Sequence, residues 1–175
     1  MKKLIALAGA GMLLAACSTD PSSAAVVAGD NITIDELAQV QEDFRAEGLD
    51  TDAGAVLSLL IQAELAEESM ADMGIEISEE MQDVTIAQLS LNENVDYEGR
   101  TETLINYFAL SLMLDTEQIS QDEAMALVSN LSQAAAETNV DVNPRFGEWD
   151  GAQLSLVQPT RDYLIQVTQE DALGL

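Results

Sequence analysis

Apolar residues recur every three to four positions over most of this chain, and most runs are bounded by residues that begin or end helices. That spacing predicts five amphipathic helices. The predicted helices cover about residues 34–47, 52–73, 78–94, 101–114 and 120–137. Four of them start at or directly after a residue suited to an N-cap, namely Thr33, Asp52, Ser78 and Ser120. Thr33 with Glu36, and Ser120 with Glu123, fit capping boxes.

The fourth predicted helix is apolar on nearly every side, so we expect it to form the buried centre of the domain. Its apolar residues are Leu104, Ile105, Tyr107, Phe108, Leu110, Leu112, Met113 and Leu114. In the fifth predicted helix, the residues expected to face inward are Ala124, Leu127, Val128, Leu131 and Ala135.

Residues that favour β-structure precede the first helix and follow the last one. A strand near 24–28, a turn and a short extended segment at 32–34 lead into the first helix. Two further short strands are expected within 140–149 and 154–157. The pattern therefore predicts a mainly α domain of about five helices, with a small β-sheet formed by strands near the two ends of the domain.

The start of the chain carries a separate pattern. Met1-Lys2-Lys3 is followed by an apolar stretch over 4–14 and then by Ala15-Ala16-Cys17, where Cys17 is the only cysteine. The stretch is too short to span a bilayer core of about 30 Å, and its end resembles the lipobox of a bacterial lipoprotein signal. We therefore expect cleavage before Cys17 and lipidation of its thiol. The alternative is an ordinary signal peptide with an incidental cysteine.

This signal divides the chain of 175 residues into four parts. We expect a signal peptide at 1–16, a lipidated tether at 17–25, a helical domain at 26–158 and a tail at 159–175. The tail mixes apolar and acidic residues, so it either packs on the domain or docks to a partner. The protein is expected outside the cytoplasm, attached to the bacterial cell membrane through its lipid anchor only.

Acidic residues dominate the charge of the chain. It has 32 Asp and Glu against six Lys and Arg, and two of the six, Lys2 and Lys3, lie in the predicted signal. Such a surface repels nucleic acid, so nucleic-acid binding is excluded, and it also fits the general solvation of an exported protein. The chain has no histidine, and Cys17 is assigned to the lipid, which excludes Ser–His and Cys–His catalysis.

One acidic stretch, Asp50-Thr51-Asp52, resembles the beginning of a calcium-binding loop. It lacks the later ligands of such a loop, so a turn followed by a helix cap explains it better. No metal site and no cofactor are expected, although the sequence leaves open weak binding of divalent ions by clustered acids.

Three segments together point to a family. The first is Val26-Val27-Ala28-Gly29-Asp30-Asn31-Ile32-Thr33, the second covers 60–78, and the third is Val142-Asn143-Pro144-Arg145-Phe146-Gly147-Glu148-Trp149-Asp150. They resemble the opening strand and turn, the central helix and the closing strand of SurA-type N-terminal domains in lipoproteins. Ala28 stands where that family usually has asparagine.

The resemblance implies a helical chaperone-like module that holds unfolded exported polypeptides. Larger relatives often add a parvulin-type prolyl isomerase domain, whose sites generally rely on histidines. This chain has no histidine and only 18 residues after Val157, so we expect no isomerase domain and no enzymatic activity.

Two groups of residues are candidates for a role in this module. Methionines and aromatic residues form adaptable apolar surfaces, so the polypeptide-binding candidates are Met70, Met73, Met113 and Tyr107. Methionine at helical spacing is also typical of a core, which is the alternative for this group. Structural roles are expected in the closing segment for Asn143, Pro144, Arg145, Phe146, Gly147 and Trp149. There we expect the two aromatic residues to be buried and Arg145 to pair with a carboxylate.

The sequence as a whole predicts a lipid-anchored chaperone or holdase that binds unfolded or exported polypeptides outside the cytoplasm. The alternative is a non-catalytic accessory subunit that binds one defined cell-envelope partner. A holdase would protect several unrelated clients, whereas an accessory subunit would co-purify with one protein.

Overall fold

The computed structural model describes residues 20–49, 52–116 and 118–158. These residues form five helices and five short strands, which confirms the prediction of a mainly α fold with a small β component. The helices are α1 (Ile34–Ala46), α2 (Ala53–Met73), α3 (Glu79–Gln88), α4 (Arg100–Asp115) and α5 (Gln121–Glu137). The strands are β1 (Ser23–Val27), β2 (Asp30–Thr33), β3 (Val140–Val142), β4 (Glu148–Asp150) and β5 (Ser155–Val157). None of the described helices is long and apolar enough to cross a membrane.

The helices begin where local side chains satisfy the backbone. The Thr33 hydroxyl accepts a hydrogen bond from the Glu36 amide, and the Glu36 carboxylate accepts one from the Thr33 amide at 2.7 Å. This reciprocal pair is the capping box predicted for α1. Ser120 and Glu123 form the predicted box at α5. The other two predicted caps are also formed, by Asp52 and Ser78.

Helix α3 is shorter than predicted. It ends at Gln88 instead of near 94, because Ser90 adopts a φ of 59° in the left-handed region, where a helix cannot continue. The chain then turns back so that Leu91 and Tyr97 are buried. The Tyr97 hydroxyl accepts a hydrogen bond from the Asn92 amide, which fixes this turn.

A three-stranded antiparallel sheet joins the two ends of the described domain. Its strand order is β2-β1-β3, with Val27 opposite Asp30 on one side and opposite Val140 on the other. This pairing confirms the prediction that strands near the two ends meet. The domain starts earlier than predicted. Ser23, Ala24 and Ala25 lie in β1 and are buried, whereas the sequence pattern assigns them to the tether.

Strands β4 and β5 form a separate hairpin, so the region after α5 holds three strands instead of the two expected. A turn at 143–147 separates β3 from β4. Asn143 holds this turn to β1, since its side chain donates to the carbonyl of Ser23 at 2.9 Å. Gly147 has a φ of 121°, and a Cβ at this position would lie 2.6 Å from the carbonyl oxygen of Val157. The motif glycine is therefore required by close approach of the backbone.

Helix α2, not α4, is the centre of the domain. It packs against α1, α4, α5, β1 and β5. Its buried side chains include Leu57, Leu60, Ile61 and Leu65, all of which are fully buried. In α4 one side of the helix remains partly exposed, including Phe108 and Leu112. The prediction for α4 was wrong because a helix that is apolar all round can still lie at the edge when its outer side is only partly covered.

Arg100, the first residue of α4, connects four elements of the domain. Its guanidinium forms ion pairs with Glu64 of α2, with Asp30 of β2 at 3.2 Å and with Glu36 of α1 at 3.6 Å. It also donates to the carbonyl of Asn31 at 3.1 Å. Only 12% of the Arg100 side chain is exposed. In so acidic a chain, this buried cation is what allows three carboxylates to approach one another.

The titration of this cluster follows from burial and charge. Burial acts to lower the pKa of Arg100, but the carboxylates, Glu64 first, outweigh it and raise that pKa. Burial raises the pKa of the Glu64 carboxyl, although Arg100 acts in the opposite direction. Ionised Glu64 therefore depends on the nearby cation to offset its desolvation.

Removing the Arg100 cation should destabilise the fold more than removing an exposed one. We expect Arg100→Met to lower the free energy of unfolding by about 2–3 kcal/mol. Removing one partner of a fully buried ion pair usually costs about 3–5 kcal/mol, and the cost is smaller here because the site is partly open. The matched control is Arg45→Met, since Arg45 pairs with Glu42 on the surface of α1 and its loss should cost less than about 1 kcal/mol. Urea unfolding at neutral pH measures both, and equal effects would contradict the role given to Arg100.

The turn between β1 and β2 contains a residue that is unsuited to its conformation. Ala28 and Gly29 form this two-residue turn with φ values of 53° and 95°, the positive pair that a type I′ hairpin turn requires. Asparagine tolerates this region better than alanine. We therefore expect Ala28→Asn to stabilise the protein by about 0.5–1 kcal/mol, seen as a higher thermal midpoint. Ala152→Asn, at an exposed turn residue without positive φ, is the control and should give no comparable gain.

Candidate functional site

The outward side of α5 exposes two large apolar side chains. Met125 is 59% exposed and Val128 is 56% exposed. The expectation that Val128 faces inward was therefore wrong. Neighbouring residues of a helix are about 100° apart, and α5 is covered on the side of Leu127, which is buried, while Val128 lies outside the covered side.

The same side of α5 continues without charge toward the end of the helix. Met125, Val128, Ser132 and Ala136 follow one another at helical spacing, and we call these four residues the α5 face. The acidic residues of the helix lie in its first turn and at its last position, and no charged residue occurs over 124–136. This is a long uncharged stretch for a chain with 32 acidic residues.

The α5 face leads into an open groove of about 510 Å³. One wall is the end of α5, with Ser132 and Ala136, and the other is the β4–β5 hairpin, with Trp149 and Leu154. We call it the hairpin groove. Of the described residues, none that lines it is charged, and its volume lies within the usual range of ligand sites. Because Ser132 and Ala136 belong to both, the face and the groove form one continuous surface.

The hairpin wall of this groove has two unfavourable features. The indole Nε1 of Trp149 is buried and has no hydrogen-bond partner among the residues that the structure describes. Leu154, in the turn that joins β4 to β5, has a φ of 50°, in the left-handed region that a bulky side chain rarely adopts. The turn is also pressed against α5, since a Cβ at Gly151 would lie 2.2 Å from the carbonyl oxygen of Ala135.

Two other grooves of the described domain are acidic. One of about 350 Å³ between α3 and α4 is lined by Asp83, Glu93, Asp96 and Glu102. Another of about 370 Å³ between α2 and α5 is lined by Glu68, Asp72 and Glu137. Within the described residues, no group of three or more Asp, Glu, His or Cys side chains is arranged to hold a metal ion. The hairpin groove differs from these grooves by its lack of charge.

The four residues proposed from sequence for polypeptide binding do not form an open surface. Met70 is only 7% exposed and belongs to a small apolar cluster with Ala66, Leu110 and Leu127. Met73 and Tyr107 pack against this cluster. The Tyr107 hydroxyl donates to the side-chain oxygen of Gln62 at 2.8 Å, and burial raises its pKa. Met113 is half-buried on α4. Their geometry fits packing better than client binding.

The closing motif lies beside the groove and is mostly turn. Pro144, Arg145 and Phe146 form the turn before β4, and only Trp149 of the aromatic pair is in a strand. Phe146 and Trp149 both pack against the main apolar core. The Arg145 guanidinium lies 4.4 Å from the centre of the Phe146 ring. The expected ion pair is not formed with any carboxylate of the described residues, and a cation–π contact takes its place.

Three of the sequence predictions fall outside the described residues. They are the signal peptide at 1–16, the lipidation of Cys17 and the role of the tail at 159–175.

Comparison of the chain with protein families, with curated proteins and with solved structures gives no match. The candidate site is therefore defined by the geometry of α5 and the hairpin.

The difference in exposure between Met125 and Met70 predicts different rates of oxidation. Mild peroxide should convert Met125 to the sulfoxide several times faster than Met70, because Met70 is enclosed by the apolar cluster. Peptide mapping by mass spectrometry over a time course measures both rates in the same sample. Equal rates would contradict the placement of Met125 on an open face.

Proposed function

We propose that this protein is a lipid-anchored, extracytoplasmic, holdase-like protein that binds unfolded or exported polypeptides. The observation that carries the proposal is the α5 face with the hairpin groove, an uncharged and partly apolar surface on a strongly acidic protein. Exposed methionine and valine suit contact with varied apolar side chains. The lipoprotein-like signal ending at Cys17 supports a location where exported chains emerge.

The charge of the protein supports a preference among clients. The rest of the surface carries many carboxylates, which repel acidic chains and steer basic ones. The α5 face itself adds no charge to this field. Clients are therefore expected to be neutral or basic, and to contact α5 through apolar residues.

The similarity to SurA-type N-terminal domains supports the same proposal. In this chain the segments that carry the similarity form the β1–β2 hairpin, much of α2 and the turn leading into β4. These elements contribute side chains to the main core, and the β4–β5 hairpin lies next to α5. The proposed function includes no catalytic step.

A single defined partner is the second candidate. The α5 face is narrow, with Met125 and Val128 as its exposed large apolar residues. Such a small surface also suits one envelope protein with a matching apolar strip. The two candidates differ in how many unrelated proteins are bound.

The soluble mature protein, starting at Ser18, should suppress aggregation of several unrelated proteins that refold from denaturant. Light scattering at low and moderate salt measures this at near-stoichiometric ratios. Val128→Asp should reduce the suppression severalfold, because it places a carboxylate in the middle of the α5 face. The matched control is Val84→Asp, since Val84 is a similarly exposed valine (48%) on α3 and should not matter.

Circular dichroism should show that both variants retain the fold. No suppression by the unmodified protein would exclude a general holdase, and protection of one client alone would favour the accessory subunit. Full activity of Val128→Asp would remove the α5 face from the proposal.

A further inference from the structure

We infer that the hairpin groove binds the backbone of an extended, uncharged peptide segment, with a peptide carbonyl accepting a hydrogen bond from the Trp149 indole. The inference rests on the proposed function and assigns the chemistry that this part of the surface recognises. It identifies Trp149 as a ligand-contacting residue, whereas the sequence favours a structural role over a ligand contact.

The indole N–H of Trp149 has no partner within the described residues. Buried polar groups in proteins are almost always hydrogen-bonded, and a buried donor without a partner costs free energy. Trp149 Nε1 is such a donor, and its ring lines the groove. A ligand that brings an acceptor to this wall recovers the missing hydrogen bond.

The turn that contains Gly151 lies beside this indole. A Cβ placed on Gly151 would be 3.6 Å from Trp149 Nε1. The same turn holds Leu154 at a positive φ. Backbone strain of this kind is often found at ligand-binding sites, where a bound molecule compensates for it. For an acceptor to reach this buried N–H the turn must shift away from the indole, and such a shift would also let Leu154 leave its unfavourable conformation.

A neutral hydrogen-bond acceptor suits the Trp149 N–H better than an anion does. An anionic ligand is opposed by the negative charge of the whole protein, and within residues 20–49, 52–116 and 118–158 no basic residue lines the groove to offset it. A peptide carbonyl is a neutral acceptor that every residue of a client supplies. The groove also continues onto the α5 face, so the side chains of the same segment can contact Val128 and Met125.

The chain provides its own probe, since Trp149 is the only tryptophan in the sequence. The full soluble mature protein is titrated with the uncharged peptide acetyl-Ser-Val-Leu-Val-Thr-Ser-amide, and with a control in which both serines are replaced by glutamate. Binding of the uncharged peptide should shift the Trp149 emission in a saturable way, whereas the acidic peptide should bind at least several times more weakly.

Two variants test the contact by calorimetry with the uncharged peptide. Trp149→Phe keeps an aromatic ring but removes the N–H, and should weaken binding by about tenfold. Ala136→Glu places a carboxylate on the exposed wall of the groove and should abolish measurable binding. Its matched control, Ala126→Glu, lies on another side of α5 and should bind as the unmodified protein does. If Trp149→Phe fails to fold, the pair of alanine variants still decides the position of the site.

The outcomes separate this inference from the proposed function. If the protein suppresses aggregation but Trp149→Phe and Ala136→Glu bind the peptide normally, the inference is overturned and the proposed function stands. If the peptide binds as expected but no client is protected, the groove is a peptide site without holdase activity. If neither the emission nor the calorimetry detects binding at millimolar peptide, the inference is overturned.

Discussion

The fold depends first on how an acidic chain holds its carboxylates close together. Arg100 does this at the start of α4, where its guanidinium meets Glu64 and carboxylates from β2 and α1. Beside it, the buried Thr101 hydroxyl donates to the Asp43 carboxylate of α1 at 2.5 Å. These contacts orient α4 against α2 at the point where mutual repulsion would otherwise separate the elements.

The candidate site follows from the same distribution of charge. Acidic residues line the grooves beside α3 and between α2 and α5, while the outward side of α5 is uncharged along its middle. Helix α5 packs on α2 through Leu127 and the small cluster around Met70, which leaves Met125 and Val128 exposed. The sheet between β1 and β3 sets the start of the closing segment and so places the hairpin beside the end of α5. The surface is therefore a consequence of packing as well as of composition.

Sequence reasoning succeeded where the cause of a structure is local. The capping boxes at Thr33 and Ser120 depend on residues three positions apart, and both were predicted. It failed where packing between elements decides the structure. The predicted centre was α4 but the centre is α2, and Val128 was predicted to face inward but is exposed. Arg145 was expected to pair with a carboxylate, but its nearest suitable partner is the adjacent Phe146 ring. Ser132 and Trp149 both line the hairpin groove. They come together through strand pairing that the sequence pattern does not specify, so the groove could not be predicted.

Contact between polypeptides and α5 can be tested by crosslinking at the membrane. A photo-reactive residue is introduced at position 128 of the full lipidated protein, and at position 84 as a control with similar exposure. Position 128 should crosslink to a mixture of exported polypeptides, and position 84 should not. Equal labelling from the two positions, or no crosslinks from position 128, would show that α5 is not the contact surface.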